Sequence, residues 1–222
     1  MDVRRGREAT LEADREATEA VVDHAASERT QIARVWQPHR QVAFGRRDVR
    51  SEGYKLAREA AEQRGFPSTS REVGGRAVAF TGQTIAFVHA IPVEDGRETI
   101  EERYDDATAL LQRALSDLGV DTRSGEPPNS FCPGSHSLQA EGKLTGLAQR
   151  VRVNVAVVAG VVLTSDHDVV ADVLEPVYDS LGVAFDPTSV GSVAAAGGPD
   201  DPVAVADAIA ETLKGKHSTV EE

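Results

Sequence analysis

Apolar positions recur along the chain in two rhythms, and the switches between them lay out a series of elements. Residues 8–29 place Leu11, Ala17, Val21 and Ala25 near one face with acidic residues early, which predicts a helix. Residues 31–36 and 41–44 read as two short strands separated by Gln37-Pro38-His39. Gly45-Arg46-Arg47 then turns the chain into a helix over about 52–63, closed by Gly65 and Pro67. Residues 71–92 form a compact β region punctuated by Gly74, Gly75 and Gly82, and a long amphipathic helix is predicted over 98–118. Residues 125–134, holding Pro127, Pro128 and Pro133, are a loop on composition. Residues 137–140 and 143–148 suggest a hairpin around Glu141-Gly142. The stretch 150–163 begins as a strand, because Val151, Val153 and Val155 alternate with Arg152 and Asn154; these valines are most simply core residues. Helical patterns return at about 168–181 and 203–213, with a glycine- and alanine-rich surface loop between them.

Strands and helices are thus interspersed without a regular βαβ beat and without an internal repeat. That pattern predicts an α+β fold, a mainly antiparallel sheet flanked by helices, in one domain over 8–215 with a disordered tail at 216–222.

Charge narrows the function classes. The chain carries 36 Asp+Glu against 24 Lys+Arg, a net charge of -12 spread along its length. Such a surface repels nucleic-acid phosphates and anionic membranes, so neither is an expected partner. Only four of the basic residues are lysines (Lys55, Lys143, Lys214 and Lys216), and the other twenty are arginines. Many carboxylates with few lysines suggest a halophilic protein in a high-salt cytoplasm, where long-range repulsion is screened. A single cysteine, Cys132, gives no internal disulfide and no thiolate cluster for a metal. Met1 to Thr10 has no apolar signal core, and the longest apolar run, 155–163, is far below the about 20 residues of a membrane helix. A cytoplasmic protein is expected.

Three segments carry candidate chemistry. In Arg71-Glu72-Val73-Gly74-Gly75-Arg76-Ala77-Val78, paired glycines between strand-like pieces let backbone amides approach an anion or carbonyl, or simply make a ligand-free bulge. In Phe131-Cys132-Pro133-Gly134-Ser135-His136, the lone thiol is either an activated nucleophile or an inert half-buried group. His136 is a lesser candidate base or a plain loop residue. In Gly142-Lys143-Leu144-Thr145-Gly146-Leu147-Ala148-Gln149-Arg150, a rare lysine opens a strand between glycines. A site needing a compact or deprotonatable amine would keep lysine in a chain that otherwise uses arginine.

In this order these pieces resemble the catalytic domain shared by lipoate-protein ligases, octanoyltransferases and, more distantly, biotin ligases. Leu11-Glu12-Ala13-Asp14 resembles the family's acidic first helix. Val35-Trp36-Gln37-Pro38 with Val42-Ala43-Phe44-Gly45-Arg46 is similar to its paired strands. Arg71–Val78 matches the "R-x-x-G-G-x-A-V" lipoyl-binding loop, and Gly142–Arg150 matches "G-K-K/R-hydrophobic-x-G-x-A-Q-R". Arg76 stands where the loop usually has a third glycine, and Ala79-Phe80-Thr81 replaces a segment that often holds a histidine.

The resemblance implies Cys132 and Lys143 as catalytic residues, with Arg71, Gly74, Gly75, Arg76, Ala77, Thr145, Gly146 and Ala148 around the acyl group. Phe131-Cys132-Pro133-Gly134 is similar to the cysteine-dependent amidotransferase and octanoyltransferase branch, which carries the acyl group as a thioester. The implied activity is transfer of lipoate or octanoate to a lysine of a lipoyl-domain protein. Acceptors at family level are the 2-oxoacid dehydrogenase acyltransferase subunit or the glycine-cleavage carrier protein, and the donor is of acyl-carrier type. Lys143 would lower the thiol's pKa and help deprotonate the incoming amine, and the acyl tunnel would be lined by strands within 77–91 and 151–157. An alternative is the catalytic subunit of a ligase using ATP and Mg to form lipoyl-AMP. Such ligases often carry an accessory C-terminal domain, for which the chain has no room after about residue 215, unless a separate polypeptide supplies it. A third reading is a non-catalytic binder of an acylated carrier protein.

Overall fold

The computed structural model describes residues 1–71, 75–94 and 100–215. Its main element is a seven-stranded sheet ordered β1-β2-β6-β10-β9-β8-β7, made from Asp2–Arg5, Ile32–Trp36, Thr84–Pro92, Val155–Leu163, Gly142–Arg152, Ser137–Ala140 and Arg123–Ser124 respectively. All neighbours run antiparallel except β1, which lies parallel to β2. A second, three-stranded sheet is ordered β4-β3-β5, from Ser68–Ser70, Gln41–Phe44 and Val78–Phe80. Among the described residues, six α-helices flank the sheets: α1 (Leu11–Glu28), α2 (Arg46–Val49), α3 (Tyr54–Gln63), α4 (Ile100–Ser116), α5 (His167–Leu181) and α6 (Pro202–Gly215). The expected α+β architecture with a mainly antiparallel sheet is what forms.

Alternation along the strands divides the core. One face of the large sheet, carrying Ala33, Val35, Ile85, Phe87 and Val162, buries against Leu110, Leu111 and Leu115 of α4 and Val205, Ile209 and Leu213 of α6. The other face, with Ile32, Val88, Ala90 and Val155, takes Val21, Val22 and Ala25 of α1. A third cluster joins Val42 and Phe44 of the small sheet, Ala57 and Ala61 of α3, and Val173, Leu174 and Val177 of α5. Phe131 of the cysteine loop belongs to it.

Several boundaries differ from the sequence reading. The predicted helix over 98–118 runs Ile100–Ser116, and Glu98 lies outside the described residues, as do 216–222. The stretch 150–163 is not one strand. β9 continues to Arg152, Val153-Asn154 make a two-residue turn with Asn154 at φ 64, and β10 starts at Val155. Val151 and Val153 are therefore exposed at the hairpin tip, at 41% and 84%, and only Val155 is core. The N-terminal residues add an edge strand, β1, that the charged sequence does not announce.

The acidic start of α1 has a structural task. Asp14 is buried, and its Oδ1 accepts from Arg34 Nη2 at 2.5 Å; Arg34, itself 3% exposed, also donates to the Asp14 and Gly6 carbonyls. The pair fastens α1 to β2. Removing one partner of a buried pair strands the other's charge, so Asp14→Ala is expected to lower unfolding free energy by about 3–5 kcal/mol. Urea denaturation monitored by circular dichroism measures that loss.

Candidate active site: a cysteine loop held from four sides

The site starts from the geometry of β9. Gly142, at φ 110, enters this strand with its backbone against Gly191. A Cβ at Gly142 would lie 2.7 Å from the Gly191 nitrogen. Gly191 N donates to the Lys143 carbonyl at 3.1 Å, and the Lys143 side chain is 0% exposed. Its ammonium donates to Glu126 Oε2 at 2.6 Å and to the carbonyls of Phe131 and Cys132, each at 2.9 Å. The three donors of a lysine are thereby all used. Glu126 in turn accepts from Gly134 N at 3.0 Å and from Ser137 Oγ at 2.9 Å. One carboxylate and one ammonium thus fix both ends of the Phe131–Gly134 turn.

Cys132 sits in the left-handed region, φ 41, a conformation that costs an L-residue energy and persists only where neighbours impose it. Its amide donates to the Tyr178 hydroxyl at 2.6 Å, and that hydroxyl donates to the Ala77 carbonyl at 3.0 Å. Tyr178 is fully buried on α5. Burial, reinforced by the neighbouring Cys132 sulfur, pushes its phenol well above the usual 10, so it stays a donor. A phenol that ionises near 10 when unfolded and only at higher pH when folded stabilises the fold at lower pH, and that contribution is lost as pH rises above 10. Tyr178→Phe is expected to cost about 1–3 kcal/mol by orphaning the Cys132 amide and the Ala77 carbonyl. It should also flatten the decline in stability above that pH; urea titrations at neutral and alkaline pH report both effects.

The sulfur itself faces the glycine-pair loop. Cys132 Sγ accepts from Arg71 Nη2 and from the Arg76 amide, both at 3.4 Å. Arg71 Nη2 also donates to the Arg76 carbonyl at 2.7 Å. Gly75 has φ 92, and a Cβ there would stand 2.8 Å from Sγ, so only glycine leaves room for the thiol. Behind this loop, a Cβ on Gly45 would fall 2.1 Å from the Gly75 carbonyl oxygen. Asp48 of α2, fully buried, accepts from Gly45 N and from Arg76 Nη1, each at 3.1 Å. Arg76, the departure from a third glycine, is used as a tie between the loop and α2.

Of the candidate residues, Cys132, Lys143, Arg71, Gly75, Arg76 and Ala77 come together. Gly146 joins them: a Cβ there would be 3.7 Å from Lys143 Nζ and 4.0 Å from Ser137 Oγ. Ala148 lies two residues further along the same face of β9. Thr145 is buried on the opposite face, its Oγ1 without a hydrogen-bond partner. Gly74 lies outside the described residues. His136 stacks its ring on Tyr104, centroids 3.7 Å apart. The sequence reading missed Glu126, Tyr178 and Asp48. A separate open cleft of about 690 Å³, lined by Glu141, His167, Asp168 and Thr188 among others, shares no residue with the surroundings of Cys132.

Solved structures first define the fold. It is similar to that of lipoate-protein ligase A bound with ATP, with TM-score 0.73 at 19% identity over 96% of this chain and 86% of that one. It is also similar to a bi-partite lipoate protein ligase of an archaeal lipoylation system from Thermoplasma acidophilum, with TM-score 0.59 at 18% identity over 96% and 84%. Residues 12–214 match the lipoyl protein ligase A/B catalytic domain, and the chain belongs to that family. It is 29% identical over 165 residues to an octanoyl-[GcvH]:protein N-octanoyltransferase of Exiguobacterium sp., covering 73% of this chain and 59% of the relative. It is 24% identical over 153 residues to a lipoyl-[GcvH]:protein N-lipoyltransferase of Listeria monocytogenes, covering 68% and 55%. The chain therefore spans between half and three-fifths of the length of these relatives. Among the described residues, no helix is long and apolar enough to cross a membrane.

Proposed function

We propose that the protein is a cytoplasmic acyltransferase that moves an octanoyl or lipoyl group onto a lysine of a lipoyl-domain protein through a thioester on Cys132. One observation carries this reading. The only cysteine of the chain is held in a strained turn, with its sulfur against a guanidinium and a backbone N–H. An inert thiol requires none of these supports. The relatives' names, octanoyl- and lipoyl-[GcvH]:protein transferases, supply the substrate class.

In the first step the Cys132 sulfur attacks the acyl carbonyl of a carrier-bound donor. The S–C bond forms, the donor's bond to that carbon breaks, and the carrier leaves with the proton. In the second, the acceptor's lysine amine attacks the thioester. The C–N bond forms, the C–S bond breaks, and the amine's proton is lost as the thiol is restored. Arg71 and the Arg76 amide favour negative charge on sulfur in both steps. Lys143, whose three donors are committed to Glu126 and two carbonyls, acts by holding the loop that presents the sulfur.

The acyl chain has a matching surface. Gly146, Ala148, Val157, Ala159 and Val161 lie half-buried on one face of β9 and β10, in the register Gly146↔Val161 and Ala148↔Ala159. An alkyl tail leading away from Gly146 would run over this half-exposed apolar face. Ala159→Phe is expected to lower kcat/KM for octanoyl transfer by about tenfold or more, since a ring on that face removes several methylene contacts.

The test of the transferase reading is ATP-free transfer of octanoate from an acyl-carrier protein or an octanoylated glycine-cleavage carrier to an unmodified lipoyl domain. Transfer lost in Cys132→Ala supports it. Modification that needs free lipoate, ATP and Mg and ignores Cys132→Ala selects the ligase alternative, to which the fold of the bi-partite archaeal enzyme lends support.

A further inference from the structure

The chain is acidic overall, yet the segment that backs the thiol is basic. Arg46, Arg47 and Arg50, in and directly after α2, are all exposed, with Val49 beside them at 41% exposure. The one carboxylate among them, Asp48, is fully buried and committed to Arg76 and Gly45. Among the described residues, none of the three arginines has an ion-pair partner, in a protein with 36 Asp+Glu to offer. The patch also adjoins the chemistry. Arg46 follows Gly45, which packs on the Gly75 carbonyl, and Gly75 packs on Cys132 Sγ.

We propose that this arginine turn is the docking surface for the acceptor, and that the acceptor is a lipoyl domain presenting carboxylates beside its target lysine. The inference rests on the transferase reading above and adds how the acceptor is recognised. The charge layout supplies the argument. A partner with an acidic face is repelled by much of a surface of net charge -12 and attracted at this turn, whose Gly45 packs on the loop that contacts the sulfur. A basic or neutral partner would gain nothing there. The contact is direct guanidinium–carboxylate pairing rather than distant steering. Pairs that become partly buried at the contact are screened less than exposed ones, for which the screening length at 1 M is about 3 Å.

The experiment measures binding apart from chemistry. The Cys132→Ser protein is titrated calorimetrically with an unmodified lipoyl domain whose lysine is flanked by acidic residues, at low and molar salt. Replacing all three arginines (Arg46→Glu, Arg47→Glu, Arg50→Glu) is expected to weaken binding by about tenfold or more. A lipoyl domain with its flanking acids changed to lysine should bind the triple variant better than it binds the unaltered surface. These substitutions sit on exposed side chains, so alkylation of Cys132 in the otherwise native protein should proceed at its normal rate.

Equal binding to both surfaces, or no rescue by the charge-swapped domain, would overturn the proposal. So would loss in the triple variant of binding to anionic vesicles or duplex DNA while the lipoyl domain still binds. If arginine-dependent binding is found but no acyl transfer occurs with any donor, the docking surface stands and the transferase reading falls.

Discussion

Changing Cys132 to alanine is expected to reduce ATP-independent octanoyl transfer by about 10⁴-fold or more, with the fold intact. Covalent catalysis has no partial form here, because the chain contains no second cysteine to take over the acyl group. The loss in stability should be small by comparison. Alanine keeps the backbone amide that donates to Tyr178 and the carbonyl that accepts from Lys143, and gives up only two long hydrogen bonds to a half-buried sulfur. A cost of about 1 kcal/mol is appropriate to such contacts. Steady-state transfer assays beside urea melts separate the two quantities. Large losses in both would instead make Cys132 a structural residue.

The second large effect is at Lys143. Lys143→Met removes the ammonium that joins Glu126 to the Phe131 and Cys132 carbonyls, leaving both carbonyls without that donor and the Glu126 charge with only Gly134 N and Ser137 Oγ. An expected destabilisation of about 3 kcal/mol, the low end for breaking a buried pair because the Glu126 side chain is 19% exposed, follows. Transfer activity should fall with it, because the turn that fixes the sulfur comes loose at its carbonyl end. Adding Glu126→Gln to Lys143→Met should restore part of the stability, since the stranded charge is gone, and little of the activity. A double-mutant cycle on denaturation midpoints and transfer rates checks this. Additive stability losses would mean that the 2.6 Å pair is not energetically coupled.

Much of this site was legible in the sequence, for reasons particular to its residues. Glycines at 75 and 142 are required where the backbone meets Sγ or another chain segment, so they stand out in the linear pattern. Lys143 stood out because the chain otherwise uses arginine. The residues that hold these groups did not stand out. Tyr178 occupies an apolar position of α5 and reads as core until its hydroxyl is found under Cys132, 46 residues away. Glu126 reads as a solvated loop acid, and only folding brings β9's lysine to it across 17 residues. Val151 and Val153 misled because alternation marks a strand and not which of its ends projects into solvent. Strand β1 escaped notice because a charged edge strand pairing on one side alone needs no apolar pattern.

The most direct measurement of the central claim is the intact mass of the protein after incubation with an octanoyl thioester donor in high salt without ATP. One octanoyl adduct is expected, released by hydroxylamine, discharged onto an added lipoyl domain, and missing from Cys132→Ala. An unmodified mass with a competent donor, or an adduct that persists in Cys132→Ala, would contradict that claim.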